Sequence, residues 1–247
     1  MSWRCCSMKK ILALDSSSDA CSVALICDGV VTGLFEMAAK SHTQRLLPMI
    51  DEVLHQAGCD KRELDAIAFG RGPGSFTGLR ICLGVVQGLA FGLQVPVIPV
   101  STLAAMAAGY YRAVAGDDKA HQNPVLVALD ARMNEVYWGL FQFNPHSRLP
   151  TALTAEFVMP PANVLRQDQV KLSCHQMTGL GPGWHYEDLQ QLSPLVLDMS
   201  AYPDAADMAR MADELLARGE SVSAMDAQPV YLRDEVSWQK RQRIRTE

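Results

Sequence analysis

The sequence predicts an α/β fold made of two like lobes, and three observations carry that expectation. The stretch Val125-Leu-Val-Ala-Leu129-Asp130-Ala-Arg-Met-Asn134 and its return to Phe141 repeat the plan of Ile11-Leu-Ala-Leu14-Asp15-Ser-Ser-Ser-Asp19 and its return to Leu25: apolar strand, aspartate, polar turn, returning strand. Gly70-Arg-Gly-Pro-Gly74 has an echo in Gly179-Leu-Gly-Pro-Gly183, at a similar distance from the corresponding aspartate. Between these landmarks short apolar runs alternate with helical patterns, as in a sheet covered by helices. Two echoes in the same order imply a duplicated unit whose halves face each other across a cleft.

Composition fits such a fold. The chain has 247 residues, 49% hydrophobic and 20% charged, the balance of a folded, soluble protein. A formal charge of −5 argues against broad electrostatic coating of nucleic acid, so an RNA would need a partner's help. Cysteines at 5, 6, 21, 27, 59, 82 and 174 form an odd set without a Cys-x-x-Cys, which indicates neither a disulfide framework nor a zinc site. Buried thiols in a reducing cytoplasm are expected. Residues 1–8 are too short and polar for a secretory signal and are set aside as an N-terminal extension. Gln87, Gln94, Pro96 and Pro99 interrupt the apolar run from Ile81 to Val100, which reads as a buried helix and a core strand, not a membrane span.

In chain order, Lys10 to Phe35 reads as a meander of three strands, with Asp15 at the mouth of the sheet and Asp28-Gly29 as a hairpin turn. Ser41 to Ala57 reads as a helix ended by Gly58, with two adjacent apolar lines, Leu47-Ile50-Leu54-Ala57 and Leu46-Met49-Val53. That width fits either deep burial in the chain's own core or contact with another chain. Asp65 to Phe69 is a strand, and Ser75 or Thr77 caps a helix from Gly78 to Leu93. Gly84, Gly88 and Gly92 recur every fourth residue there and leave one side bare, at a cost of about 0.8–1 kcal/mol per glycine relative to alanine. A second backbone packed on that strip is the simplest use, from this chain or from a partner. A strand at 95–100 and a helix from Thr102 to Tyr111 complete a first lobe over 9–116. A polar stretch at 116–123 is the boundary, followed by a second lobe over 117–232. Within it, Thr154–Met159 is a strand, Pro161–Gln167 a short helix, Ala205–Arg218 a longer one and Pro229–Arg233 an extended segment. The tail at 233–247 is basic, with Lys240, Arg241, Arg243 and Arg245.

The turn at 70–77 joins a strand to a capped helix start, the geometry that holds an anion, and it reads equally as a tight structural turn. It lacks the Gly-Lys-Ser/Thr of a P-loop, Thr77 replaces the third glycine of a dinucleotide fingerprint, and Pro73 spoils a Gly-x-Ser-x-Gly elbow at Ser75. The six histidines form no metal pair, since Leu46 lies four residues after His42.

Four ordered segments, Ile11-Leu-Ala-Leu-Asp15-Ser-Ser, His42-Thr-Gln-Arg-Leu-Leu-Pro48, Gly70-Arg-Gly-Pro-Gly-Ser-Phe-Thr-Gly-Leu-Arg80 and Pro229-Val-Tyr-Leu-Arg233, resemble the bacterial TsaB family, also called YeaZ, over nearly all of the chain after Met8. The resemblance implies an actin-like, sugar-kinase-like (ASKHA) fold. It also implies a scaffold with no reaction of its own, acting with the catalytic paralogue TsaD and the ATPase TsaE to place a threonylcarbamoyl group on N6 of adenosine 37 in tRNAs that read codons beginning with A. The paralogue's His-x-x-x-His metal pair is reduced here to His42, with Leu46 in the second place. The family pairs through its first two helices, which carries over to Leu46, Met49, Ile50, Val53 and Leu54 on one and Ile81, Gly84, Val85, Gly88 and Gly92 on the other. Asp15, Ser16, Gly72, Gly74, Ser75 and Thr77 are then a vestigial phosphate site. No metal or cofactor of the chain's own is implied, ATP belonging to the assembled complex. The tRNA is reached through that complex, and the isolated chain is expected as a homodimer. The competing reading is an active ATPase, phosphotransferase or peptidase using Asp15 and the 70–77 turn.

Overall fold

The computed structural model describes residues 9–233 apart from 40, 148, 174 and 175. The extension at 1–8, the tail from 234 onward and Cys5, Cys6 and Cys174 lie outside the described residues. The first sheet contains β1 (Lys10–Asp15), β2 (Ala20–Cys27), β3 (Val30–Met37), β4 (Ala66–Gly72) and β5 (Val97–Ser101), with α1 (His42–Gln56) between β3 and β4 and α2 (Phe76–Leu93) between β4 and β5. Next come α3 (Thr102–Ala113) and α4 (Asp118–Gln122), the latter inside the polar stretch expected as the boundary. The second sheet contains β6 (Val125–Arg132), β7 (Glu135–Gln142), β8 (Thr151–Ala152), β9 (Phe157–Met159), β10 (Thr178–Leu180) and β11 (Val196–Asp198). Short helices α5 (Pro161–Val164), α6 (Asp168–Ser173) and α7 (Glu187–Gln190) interrupt it, and α8 (Ala205–Ala217) follows.

The duplication is explicit in the topology. The first sheet runs β3-β2-β1-β4-β5 and the second β8-β7-β6-β10-β11, with β9 also on β7. In each, the first two partners of the leading strand's meander are antiparallel and the last two strands parallel. The glycine echo falls at equivalent places, the ends of β4 and β10, where Gly72 has φ 100° and Gly181 φ 99°. Positive φ there is the reason both are glycine.

Both faces of the first sheet are covered, which explains why its strands read as unbroken apolar runs. Successive residues of β1 point to opposite sides. Leu12 and Leu14 meet α1 and α2, whereas Ile11 and Ala13 meet α3 and α8. Ala13, Ala24, Ala66 and Ala68 keep the second side shallow, and Ala205, Met208, Ala209 and Ala212 of α8 pack into it. The last helix of the stretch expected as the second lobe thus returns to the first sheet. On the second sheet, Val125, Val127 and Leu129 face Leu103, Met106 and Ala107 of α3. The other side buries Trp138 and Trp184 with residues of α5, α6 and α7.

Two expectations about the first two helices are corrected here. Leu46, Met49, Ile50, Val53 and Leu54 are all buried in the chain's own core beneath α1, because a helix lying flat on a sheet hides a stripe wide enough for one apolar line and the middle of the other. They are not an exposed partner surface. Met49→Ala is therefore expected to lower the stability of the isolated chain by about 2–5 kcal/mol in urea denaturation, where a residue serving only a partner would leave the midpoint unmoved. The helix read as buried, α2, is covered on one side alone, through Leu79, Cys82, Val86 and Ala90. It is long and apolar enough to cross a membrane by length and composition, yet that inner line seats it on the sheet.

Candidate partner face and interlobe cleft

The turn between β4 and α2 is locked to the turn after β1 by close backbone approach. Ser75 N donates to Ser17 O at 2.6 Å, and Ser16 Oγ donates to Gly78 O at 2.9 Å. A Cβ on Gly74 would lie 2.3 Å from Ser17 O, and one on Gly78 would lie 1.9 Å from Ser16 O. Gly78→Ala is accordingly expected to cost about 3 kcal/mol or more in thermal or urea unfolding, although alanine is the better helix former, because the obstacle is backbone that cannot swing away. Ser75 caps α2, its Oγ accepting from Gly78 N. These contacts give the glycine turn a structural purpose within the chain.

Asp15 lies behind this junction, 1% exposed. Its Oδ2 accepts from Ser17 N at 3.2 Å and Ser17 Oγ at 3.0 Å, while Oδ1 has no hydrogen-bond partner among the described residues. Gly70 makes room for it, since a Cβ there would fall 2.0 Å from Oδ1. Burial pushes the Asp15 carboxyl up to about 7, against the lowering effect of the Ser17 bonds. His42 is also buried, with Nδ1 unpartnered among the described residues, and burial lowers its pKa.

The duplicated turns do face each other across a cleft of about 360 Å³. Gly74, Ser75 and Thr77 line it, whereas Asp15, Ser16 and Gly72 do not reach it. From the second lobe come Asp130, Ala131 and Arg132, and Tyr202 and Arg233 also face in. Arg132 bonds Asp130 at 3.0 Å and approaches Asp19 across the cleft at 3.7 Å. Arg233 donates to Ala131 O at 3.2 Å and pairs with Glu135. Both arginines are thus engaged by acceptors of the chain itself. The repeated aspartate is visible in the sequence, whereas Arg132, Tyr202 and Arg233 are not read there as cleft residues, although the echo around Asp130 contains the first and the segment Pro229-Val-Tyr-Leu-Arg233 ends on the last.

The outward side of α2 is different. Gly84, Gly88 and Gly92 are exposed, and a Cβ on any of them would meet nothing within 4 Å among the described residues. Ile81 and Val85 flank the strip, half-buried. Phe91 is 70% exposed beside it, and Leu47 is 52% exposed on the outward side of α1. Leu47 was in one of the two apolar lines read from the sequence, but the line alone did not say that it points away from the sheet.

Two sheets of one repeated strand order, joined at a cleft by mirrored aspartate turns, define a two-lobed actin-like protein. The family model described as "TsaD: tRNA N6-adenosine threonylcarbamoyltransferase" matches residues 29–228. The tRNA threonylcarbamoyladenosine biosynthesis protein TsaB of Escherichia coli strain K12 is 42% identical, over 94% of this chain and 97% of its own. TsaB of Haemophilus influenzae is 39% identical, over 93% and 96%. The solved YeaZ structure from Pseudomonas aeruginosa superposes with a TM-score of 0.81 at 44% identity, covering 91% of this chain and 100% of its own. The chain belongs to the TsaB (YeaZ) family.

Proposed function

We propose that this chain acts in tRNA threonylcarbamoyladenosine biosynthesis, the process for which its TsaB relatives are named, as a scaffold subunit without a reaction of its own. In this reading it pairs through the outward sides of α1 and α2 with a catalytic paralogue of the TsaD kind. Together with the ATPase TsaE the pair modifies N6 of adenosine 37 in tRNAs that read codons beginning with A. The tRNA is engaged through the assembled complex in the cytoplasm, the same face closes a homodimer when the chain is alone, and the 70–77 turn is a vestige of a phosphate site.

The observation that carries this reading is the open glycine strip. Gly70, Gly74 and Gly78 are required by the chain's own packing, but nothing among the described residues requires glycine at 84, 88 or 92. Three glycines inside one helix cost about 2–3 kcal/mol in total against alanine. A partner backbone seated in the bare groove explains that cost, Phe91 supplies an apolar edge to it, and Leu47 offers an exposed apolar side chain on α1. The contact residues on this account are Gly84, Gly88, Gly92, Ile81 and Val85, with Leu47 taking the place of the five buried residues of α1.

In a reconstituted tRNA-modification assay, Gly88→Glu is expected to reduce threonylcarbamoyl incorporation by about tenfold or more, because it sets an unpaired charge in a close helix contact. Ser75→Ala should leave incorporation within about twofold, the loss of one helix cap being worth about 1 kcal/mol of stability only. An enzyme working through the 70–77 turn ranks the two substitutions the other way, and would turn over ATP or substrate without any partner.

A further inference from the structure

A second cavity, of about 400 Å³, opens between α3, α8 and the segment after β7, and it shares no residue with the cleft or with the outward strip of α2. Its size is that of a small-molecule site, and its walls divide by chemistry. On one side Arg112 donates from Nε to Asp207 Oδ1 at 2.7 Å and from Nη2 to Oδ2 at 3.2 Å. Arg210 reaches the same carboxylate only at 3.8 Å and donates from Nη1 to Ala206 O at 2.8 Å. Gly109 admits the carboxylate, since a Cβ there would fall 2.5 Å from Asp207 Oδ2. Asp204 caps α8 through Ala206 N and Glu214 accepts from Ser147 Oγ at 3.4 Å, and neither is part of the lining. The lining therefore places two guanidinium groups against one carboxylate. Nη1 of Arg112 and Nε and Nη2 of Arg210 have no acceptor among the described residues. The facing wall is aromatic and aliphatic: Phe143 stacks on His121 at 4.0 Å between centroids, Tyr111 lies 5.5 Å from Phe143, and Met211 and Leu149 close the side.

We infer that this cavity binds a small organic carboxylate with a flat apolar body. Two guanidinium groups stand against one carboxylate among the described lining residues, their free donors suit the two oxygens of a carboxylate, and the ring wall takes a planar group by stacking. A cation of the same size meets the two arginines and is repelled. This pairing of a forked cation with an aromatic floor serves neither the cleft nor the partner face, and it follows from the lining alone.

Titration calorimetry on the full chain with indole-3-acetate, and with tryptamine as its cationic counterpart, tests the inference. Indole-3-acetate should bind about tenfold or more tighter than tryptamine and should shift the amide resonances of Gly29, Ala108 and Ala115. Arg210→Gln, which leaves the Arg112–Asp207 pair in place, should weaken it about tenfold, with Arg210→Lys recovering part of the loss. Phe143→Ala should weaken both probes. Equal affinity for the two probes, undiminished binding by a folded Arg210→Gln variant, shifts confined to cleft residues such as Ser18 and Thr77, or no binding up to about 10 mM would each overturn it.

Discussion

Replacing Gly84, Gly88 and Gly92 together by alanine is expected to stabilise the isolated chain while destroying its association with the paralogue. Each substitution relieves about 0.8–1 kcal/mol of helix cost, and open space surrounds all three positions, so nothing opposes the gain. For a chain of this size that amounts to a rise in Tm of about 5–10 °C, read by calorimetry at a concentration where the chain is monomeric. In the proposed complex, three methyl groups would enter a helix contact that the account builds on bare backbone, and overpacking costs about 1–3 kcal/mol at each crowded point. Affinity should fall by about a hundredfold or more. Opposite signs in stability and binding separate this account from one in which the glycines are incidental, since incidental glycines give the gain in Tm and leave binding unchanged.

Asp15→Asn is expected to flatten the dependence of stability on pH between about 4 and 7. The folded-state pKa of Asp15 is raised to about 7 from 3.8, so the folded chain keeps a proton that the unfolded chain releases. Its contribution is fully present below about pH 4, falls as pH rises through 7 and is constant above that. At pH 8 the wild-type chain thus buries a carboxylate whose Oδ1 has no partner, and the asparagine chain does not. The variant should be more stable there by about 1–3 kcal/mol and nearly equal to wild type at pH 4, as compared by urea denaturation at the two pH values. Because Asp15 does not reach the cleft, tRNA modification should survive the change. A wild-type chain whose advantage over the variant grows with pH would mean that the ionised carboxylate is stabilised by something this geometry lacks.

Much of the fold was legible because its signals are local. The repeated strand–aspartate–turn plan and the two glycine turns landed on equivalent strands of two sheets with the same order. What escaped was non-local. Apolar residues on both faces of β1 say that both faces are covered, yet they do not name α8, nearly two hundred residues away, as the cover for Ile11 and Ala13. The three-residue strands β10 and β11 are too short for a period of two to register. For the proposed partner face, the four-residue glycine spacing marked a strip that is open in the structure, but the doubled apolar lines of α1 pointed to residues that its own sheet consumes. Which line is spent inside depends on how flat the helix lies, and Leu47 became distinguishable from Leu46 only once that orientation was known: 52% exposed against 1%.

Light scattering on a mixture of this chain with the proposed TsaD-type partner decides whether the open side of α2 is the docking face. Wild type should give the mass of a one-to-one complex, and Gly88→Glu, with circular dichroism and Tm showing a folded chain, should give two separate components. A Gly88→Glu chain that pairs as tightly as wild type would contradict the assignment of the open side of α2 as the docking face.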